Sequence, residues 1–264
     1  MGDPFENMAV DEALLRLSRE GPAAVTLRLY AWARPTVSLG YFQTYDLTVN
    51  DEACRRLGVA VVRRPTGGKA VYHDREVTYA LVGREDAGFF PPDVLGTYRA
   101  VGEGLVRALG LLGLGAEMAP EGRPERGGGR DASCFAVPSA FEILVRGRKV
   151  CGSAQVRSRG AFLQHGSLLL SFDARRTGEV LAAPAGRMGA GDLGEAAAGV
   201  NDLLPEPVSR EEVCEAVRRA FAEVFGVVLE EGGLTREEEA MKEGLLAGKY
   251  LTEGWNRQGG GKRL

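Results

Sequence analysis

The chain has 264 residues, of which 44% are hydrophobic and 26% are charged, and its formal net charge is -3. This length allows one large domain or two small ones, with enough apolar residues for a buried core. The mildly acidic charge argues against general binding to nucleic acid or to anionic membranes.

Several features of the sequence predict a reducing cytoplasm. The N-terminus MGDPFENMAV lacks the charged and apolar regions of a signal peptide, and the apolar run LGLLGLGA is too short to span a bilayer. The four cysteines are widely scattered, without a CxxC pair, which favours free thiols over a disulfide framework. Because the chain has only two histidines, we also predict that it has no metal site. These residues are Cys54, Cys134, Cys151, Cys214, His73 and His165.

In the first half of the chain, helical and strand patterns alternate. The segment ENMAVDEALLRLSRE places apolar residues at helical spacing, which predicts an amphipathic helix over 6–20. Short segments rich in β-branched and aromatic residues, separated by turn residues, predict strands. In chain order we predict strands over 26–32 and 36–42, a helix over 51–58, strands over 59–64, 69–74 and 77–82, and a helix over 92–113.

The second half begins with a glycine-rich segment over 125–133, which predicts a flexible loop leading to Cys134. Tight turns at Gly147 and Gly160 then separate three predicted strands. These strands cover 139–147, 148–156 and 161–170, and a long loop rich in Ala, Gly and Pro follows over 182–205.

Two capping boxes near the C-terminus predict helix starts, Ser209 with Glu212 and Thr235 with Glu238. No internal repeat is present. Strands connected by hairpins and flanked by helices predict an α/β (α+β) fold with a mixed, largely antiparallel sheet, because a βαβ series would alternate more regularly.

The segment RRPTGGKAVYHD, residues 63–74, has the most unusual composition. It is not a nucleotide-binding P-loop, because Ala70 follows Lys69 where Ser or Thr is needed and Arg63 occupies the first glycine position. Two interpretations remain. One is a strand–turn–strand hairpin with a solvated basic tip. The other is a group of backbone N–H donors and basic side chains that hold an anionic or carbonyl group.

Three further residues are candidates for chemistry, although each has an ordinary structural interpretation. Cys134 follows a flexible loop, which suits an exposed nucleophile, but most cysteines are small buried apolar residues. Lys149 is either a site cation or an ordinary turn lysine. His165 precedes a glycine inside an apolar strand, and a glycine there can mark close approach of a ligand or of another backbone.

Together these stretches resemble the family of lipoyl and octanoyl transferases and biotin/lipoate protein ligases. The resemblance begins at NMAVDEALL and VSLGYFQ, is strongest at RRPTGGKAVYHDREVTYAL, and continues through SCFAVPSAFEILVRGRKVCGSAQVRSRGAFLQHGSLLL to GKYLTEGWN. Within the family the chain looks most like octanoyltransferases of the LipM type, because Lys69 stands where the ligases usually have a third glycine. The resemblance implies a class II synthetase/biotin-ligase-like fold and a single catalytic domain over residues 1–264.

The resemblance also implies a reaction and a set of site residues. The family moves an octanoyl group from acyl carrier protein, through a cysteine thioester, to a lysine of a lipoyl domain such as that of the glycine cleavage H protein. The nucleophile maps to Cys134 and the invariant lysine to Lys149. The predicted substrate-binding residues are Arg64, Gly67, Gly68, Lys69, Ala70, His73, Gly152, Ser153, Ala154, Gln164, His165 and Gly166.

The resemblance implies a monomer in the cytoplasm that needs neither ATP nor a metal and binds neither nucleic acid nor membrane. Three alternatives remain open. The chain could be an ATP-dependent lipoate–protein ligase, which would need ATP and Mg²⁺. It could instead be an amidotransferase that moves lipoyl or octanoyl groups between lipoyl domains, or an inactive acyl-binding module.

Overall fold

The structure is a computed structural model that describes residues 1–20, 24–119, 141–182 and 190–259, and the side chains of 190–192 are left out of the description. Cys134, predicted as the nucleophile, and the glycine-rich segment 125–133 lie outside the described residues.

Nine strands and eight α-helices make up the described part of the chain. The helices are α1 (Pro4–Leu17), α2 (Tyr45–Thr48), α3 (Asp51–Leu57), α4 (Val94–Leu111), α5 (Ala174–Val180), α6 (Ala190–Ala196), α7 (Arg210–Phe225) and α8 (Arg236–Leu245). The strands are β1 (Val25–Tyr30), β2 (Thr36–Leu39), β3 (Ala60–Arg63), β4 (Val71–His73), β5 (Glu76–Arg84), β6 (Ala116–Met118), β7 (Ile143–Val145), β8 (Arg148–Ser158) and β9 (Ala161–Leu169).

Six of the strands form a large antiparallel sheet in the order β1-β5-β9-β8-β7-β6. Its central strands β5 and β9 are covered on both faces. Alternate residues of β5, such as Tyr79 and Leu81, pack against α4 and α7, while Ala80 and Val82 pack against α1. The predicted α/β class with a mixed, largely antiparallel sheet flanked by helices is confirmed.

The other three strands form a small sheet in the order β3-β2-β4. β2 lies between the other two, parallel to β3 and antiparallel to β4. The interpretation of 63–74 as a β-hairpin is therefore wrong, because β3 and β4 are not paired with each other and the glycine turn must cross the end of β2. The parallel pair is possible because α2 and α3 supply the crossover that parallel strands require.

Within the described residues, the predicted elements of the second half are found with one exception. Ser209–Glu212 and Thr235–Glu238 form the predicted capping boxes of α7 and α8. The segment 182–205, predicted as a long loop, contains α6 and a 3₁₀ turn at Val200–Asp202. Small residues in α6 allow it to lie against α5 and β8, and this tertiary packing outweighs its weak helix propensity.

The C-terminal segment is joined to the small sheet by Arg63. This buried guanidinium donates hydrogen bonds to the carbonyls of 40, 41 and 43 on one side and of 255, 256 and 257 on the other. The Trp255 indole and the Asn256 side chain bond the backbone of Arg63 in return. One charged side chain therefore links two segments that are far apart in sequence.

Among the described residues, no helix is both long and apolar enough to cross a membrane.

Replacing Arg63 by Met should lower the free energy of unfolding by about 3 kcal/mol, because the change leaves several buried carbonyls without donors. Arg56→Met is the matched control, since Arg56 is largely exposed and only pairs with Glu179 on the surface, and its effect should stay within about 0.5 kcal/mol. Urea denaturation of both variants measures the difference. Equal effects would mean that Arg63 is not the link described above.

Candidate active site

A cavity lies where the small sheet meets the α1 face of the large sheet. Its open space is about 460 Å³ including the mouth, and its accessible wall is mostly apolar. Residues of α1, β1, β8 and β9 line it together with Trp32. The lining residues are Met8, Tyr30, Trp32, Ser38, Arg64, Gly68, Val71, His73, Thr78, Gly152, Ser153, Ala154, His165, Gly166 and Ser167.

Arg64 holds the glycine turn at one edge of this cavity. Its guanidinium donates to the carbonyls of Gly67 (2.7 Å) and Lys69 (2.7 Å), and also to the carbonyl of Ser38 (3.0 Å). Gly40 backs the turn so closely that a Cβ at position 40 would lie 1.9 Å from the carbonyl oxygen of Gly68. The turn is therefore fixed from both sides.

His165 is held by a buried carboxylate. Its Nδ1 lies 3.0 Å from Asp11 Oδ2, and its Nε2 lies 2.7 Å from the hydroxyl of Thr66. Burial opposes ionisation of Asp11, but the hydrogen bond with His165 and the charge of Arg28 outweigh it, so the pKa of Asp11 lies below its usual value. Burial lowers the pKa of His165, so the ring is neutral at neutral pH and its Nδ1–H donates to Asp11.

His73 has a similar environment on the neighbouring strands. Its Nδ1 lies 2.8 Å from Glu76 Oε1, its Nε2 lies 2.7 Å from the hydroxyl of Ser38, and its ring stacks on Trp32 at 4.2 Å. Glu76 is fully buried and also accepts hydrogen bonds from Trp32 Nε1 (3.1 Å), Thr78 Oγ1 (2.5 Å) and the Ser167 hydroxyl. Burial raises the pKa of Glu76, but His73 and the two hydroxyls outweigh this effect and hold it below its usual value.

Lys149, the predicted site cation, lies on β8 and is only 2% exposed. Its ammonium forms a close ion pair with the buried carboxylate of Glu142. A Cβ at position 152 would lie 2.7 Å from Lys149 Cε and 2.8 Å from Nζ, so only glycine at this position lets the ammonium rest beside the cavity wall. Gly152 therefore connects the lysine with the cavity.

The remaining predicted residues occupy different places. Gln164 points to the opposite face of β9, where it donates to the Tyr79 hydroxyl (3.2 Å). The Ala70 side chain packs in the core of the small sheet, and Lys69 is half-buried at the end of the turn. Gly67 lines a second opening, beside Tyr41 and Phe42. The other eight predicted binding residues line the main cavity: Arg64, Gly68, His73, Gly152, Ser153, Ala154, His165 and Gly166.

Reasoning from sequence missed the acidic residues of this site. Asp11, Glu76 and Glu142 each carry a buried negative charge next to a predicted site residue. A signal was present in two cases, because Asp11 interrupts the apolar face of a helix and Glu142 interrupts an apolar strand. A buried ionised residue usually has a charged or hydrogen-bonded partner.

Within the part of the chain that the structure describes, no cluster of three His, Cys, Asp or Glu side chains could hold a metal ion.

Comparison with known proteins identifies the family to which this geometry belongs. The sequence profile of the lipoyl protein ligase A/B catalytic domain matches residues 3–222. Octanoyltransferase LipM of Kyrpidia tusciae is 46% identical to this chain, and the alignment covers 97% of this chain and 95% of the relative. Octanoyltransferase LipM of Geobacillus kaustophilus is 40% identical, with coverage of 96% and 94%.

Two solved structures share the fold over almost the whole chain. Lipoate-protein ligase A bound with ATP superposes with a TM-score of 0.81 at 30% identity, over 97% of this chain and 94% of the other. The bipartite lipoate protein ligase of Thermoplasma acidophilum, studied with its E2 lipoyl domain, has a TM-score of 0.81 at 29% identity, with coverage of 97% and 92%.

The chain belongs to the lipoyl protein ligase A/B catalytic domain family. Within that family, its near-full-length curated relatives are octanoyltransferases, and the predicted enzyme class, an acyltransferase of lipoate biosynthesis, is confirmed.

Gly40→Ala should lower the free energy of unfolding by about 3 kcal/mol, because the new methyl group meets the backbone of the glycine turn. Gly110→Ala is the control: it lies exposed in α4 with no atom near its Cβ position, and it should raise stability by about 0.5–1 kcal/mol. Chemical denaturation of the two variants tests this. A neutral Gly40→Ala variant would contradict the close contact between Gly40 and Gly68.

Proposed function

We propose that this protein transfers an octanoyl group from acyl carrier protein to a lysine of a lipoyl domain, by way of a thioester on Cys134. The chain is an octanoyltransferase of lipoate biosynthesis, as its relatives are. The observation that carries the proposal is an apolar-walled cavity with a buried lysine beside it. The donor, the acceptor and the cysteine are the parts that need experimental tests.

The cavity suits an acyl chain that ends in a reactive carbonyl. Met8, Tyr30, Trp32 and Val71 supply apolar surface, and burial of each methylene contributes about 0.8 kcal/mol. Arg64 and Gly152 also line the cavity, and we place the carbonyl end of the acyl chain beside them. A site of this kind selects chain length only coarsely, since one methylene changes binding by about 1–3 kcal/mol.

Cys134 is supported as the nucleophile by the surroundings of the other three thiols. Burial raises the pKa of Cys151 to about 12 and that of Cys54 to about 11, and it also raises the pKa of Cys214. The thiolate is the nucleophilic form of cysteine, so none of these thiols is suited to attack a thioester. Cys134 is the fourth cysteine of the sequence and lies in the stretch that matches the family's nucleophile.

Lys149 supplies the positive charge in this mechanism. A nearby ammonium favours the thiolate over the thiol and can donate a hydrogen bond to the acyl carbonyl as negative charge develops on its oxygen. Attack of the thiolate on the donor thioester exchanges one thioester for another at little energetic cost. Attack of the acceptor amine then forms an amide and releases the thiolate, which drives the transfer without ATP.

The main alternative is an ATP-dependent ligase, and the ATP-bound ligase with the same fold favours it as the second candidate. The identity of 46% with an octanoyltransferase over nearly the whole chain favours the transferase. An amidotransferase would use the same cysteine with a lipoyl domain as donor. We further propose that the enzyme works without ATP or metal, as a cytoplasmic monomer with one catalytic domain.

Incubation with octanoyl–acyl carrier protein in the absence of ATP should add one octanoyl group to the intact protein. The adduct should be sensitive to hydroxylamine and absent from Cys134→Ala, because a thioester forms only on the nucleophilic cysteine. Intact-protein mass spectrometry measures it, with Cys54→Ala as the control that keeps the adduct.

Two results would contradict this assignment. An adduct that survives in Cys134→Ala would place the thioester elsewhere. No adduct, together with transfer of free octanoate only when ATP is present, would identify the protein as the ligase.

Gly152→Ala should reduce the rate of octanoyl transfer by about 10²-fold, because the methyl group displaces the Lys149 ammonium from the cavity edge. Stability should fall as well, because the displaced ammonium forms a buried ion pair with Glu142, so transfer is compared at a temperature where the variant is folded. Gly178→Ala, whose Cβ would meet only Leu193 at an ordinary 3.6 Å, is the control. Single-turnover transfer and thermal melting are compared; an unchanged rate in Gly152→Ala would remove Lys149 from the mechanism.

A further inference from the structure

The two histidines of the chain are held in matching ways. Each ring has a buried carboxylate at Nδ1, Asp11 for His165 and Glu76 for His73. Each ring also has a hydroxyl 2.7 Å from Nε2, that of Thr66 for His165 and that of Ser38 for His73. The two pairs come from different elements, yet they present the same arrangement to one cavity.

The hydrogen-bond donors and acceptors around each imidazole indicate which ring nitrogen carries the proton. An ionised carboxylate can only accept, so Nδ1 of each histidine is the donor to Asp11 or Glu76. Arg64 can only donate, and it donates to both hydroxyl oxygens, from Nε to Thr66 Oγ1 (3.1 Å) and from Nη1 to Ser38 Oγ (3.2 Å). When Nδ1 alone carries the ring proton, Nε2 is an acceptor, and each hydroxyl, which accepts from Arg64, can give its own proton to it.

Arg64 thereby joins both histidine pairs to the glycine turn. The same guanidinium binds the carbonyls of Gly67 and Lys69. Because a peptide unit is planar and trans, a fixed Gly67 carbonyl also fixes the direction of the Gly68 N–H. The orientation of Arg64 depends on the hydroxyls, and the hydroxyls depend on the imidazoles.

We propose that Asp11 and Glu76 are positioning residues that hold the proton of His165 and of His73 on Nδ1, so that Thr66 and Ser38 fix Arg64 and, through it, the glycine turn at the acyl carbonyl. The proposal rests on the proposed octanoyl transfer for its kinetic consequence. The Nδ1 protons are inferred from the contacts with the two ionised carboxylates, independently of octanoyl transfer. Neither carboxylate contacts the reacting atoms in this scheme.

The two-histidine composition makes the proton positions directly measurable. Long-range ¹⁵N–¹H NMR spectra of the full chain, labelled with ¹⁵N-histidine, should contain only two imidazoles. Both rings should carry a proton at Nδ1, with the Nε2 shift of a hydrogen-bonded acceptor. His73→Gln assigns the two sets of signals. An Nε2–H tautomer in either ring would overturn the proposal.

A pair of substitutions at Thr66 separates positioning from simple structural support. Thr66→Val removes the hydroxyl at nearly constant volume, so it should shift the His165 Nε2 resonance and lower kcat for octanoyl transfer at least about 10-fold, with KM changed less than about twofold. Thr66→Ser restores the hydroxyl and should recover most of kcat and the wild-type Nε2 shift. Circular dichroism verifies that each variant is folded.

The carboxylate of Asp11 is tested in the same way by Asp11→Asn. Arg28 donates to Asp11 Oδ1 (2.7 Å) and keeps the amide oxygen of the variant on that side, so the amide N–H faces His165 Nδ1. The ring should then lose its Nδ1–H tautomer while kcat falls. A folded Asp11→Asn variant that keeps both kcat and the tautomer would overturn the proposal. A wild-type protein that transfers no octanoyl group would instead overturn the proposed function, and its spectra would still decide the proton positions.

Discussion

The buried guanidinium of Arg64 is the interaction on which this site depends. A positive charge removed from water is costly unless acceptors surround it, and Arg64 meets this requirement with five oxygen atoms from β2 and the glycine turn. The oxygens that accept hydrogen bonds from the guanidinium are in turn held in place by it. A turn rich in glycine, which is otherwise a flexible segment, therefore has one defined conformation beside the cavity.

Arg63 serves the neighbouring part of the molecule in a comparable way. It ties the loop after β2 to Trp255 and Asn256, which lie beyond residue 222, where the match to the family's catalytic domain ends. Arg63 ends β3 and Arg64 follows it directly, and their side chains bond different partners, so Arg63 supports the scaffold and Arg64 supports the site. Trp255 and Asn256 thus support the surroundings of the cavity without lining it.

The prediction of elements from sequence succeeded where the signal was local. Capping boxes at Ser209 and Thr235 depend on side chains three residues apart, and both were found where they were predicted. The prediction of a hairpin over 63–74 was wrong because β2, from an earlier part of the chain, lies between β3 and β4 and pairs with both of them. Local sequence does not show that a third strand takes this position. The helix α6 was missed for the same reason, since packing against α5 and β8 decides it.

The sequence by itself determined the family, the fold class and most of the cavity wall, because the glycine turn and the strand motifs are contiguous stretches whose residue types are informative. Only the tertiary structure revealed Asp11, Glu76 and Glu142 as partners of the site. Asp11 is 154 residues from His165 in sequence. For Asp11 the sheet pairing and α1 bring the partner to the carboxylate. Glu76 and Glu142 lie three and seven residues from His73 and Lys149, but their burial, which gives these pairs their importance, is decided only by the fold.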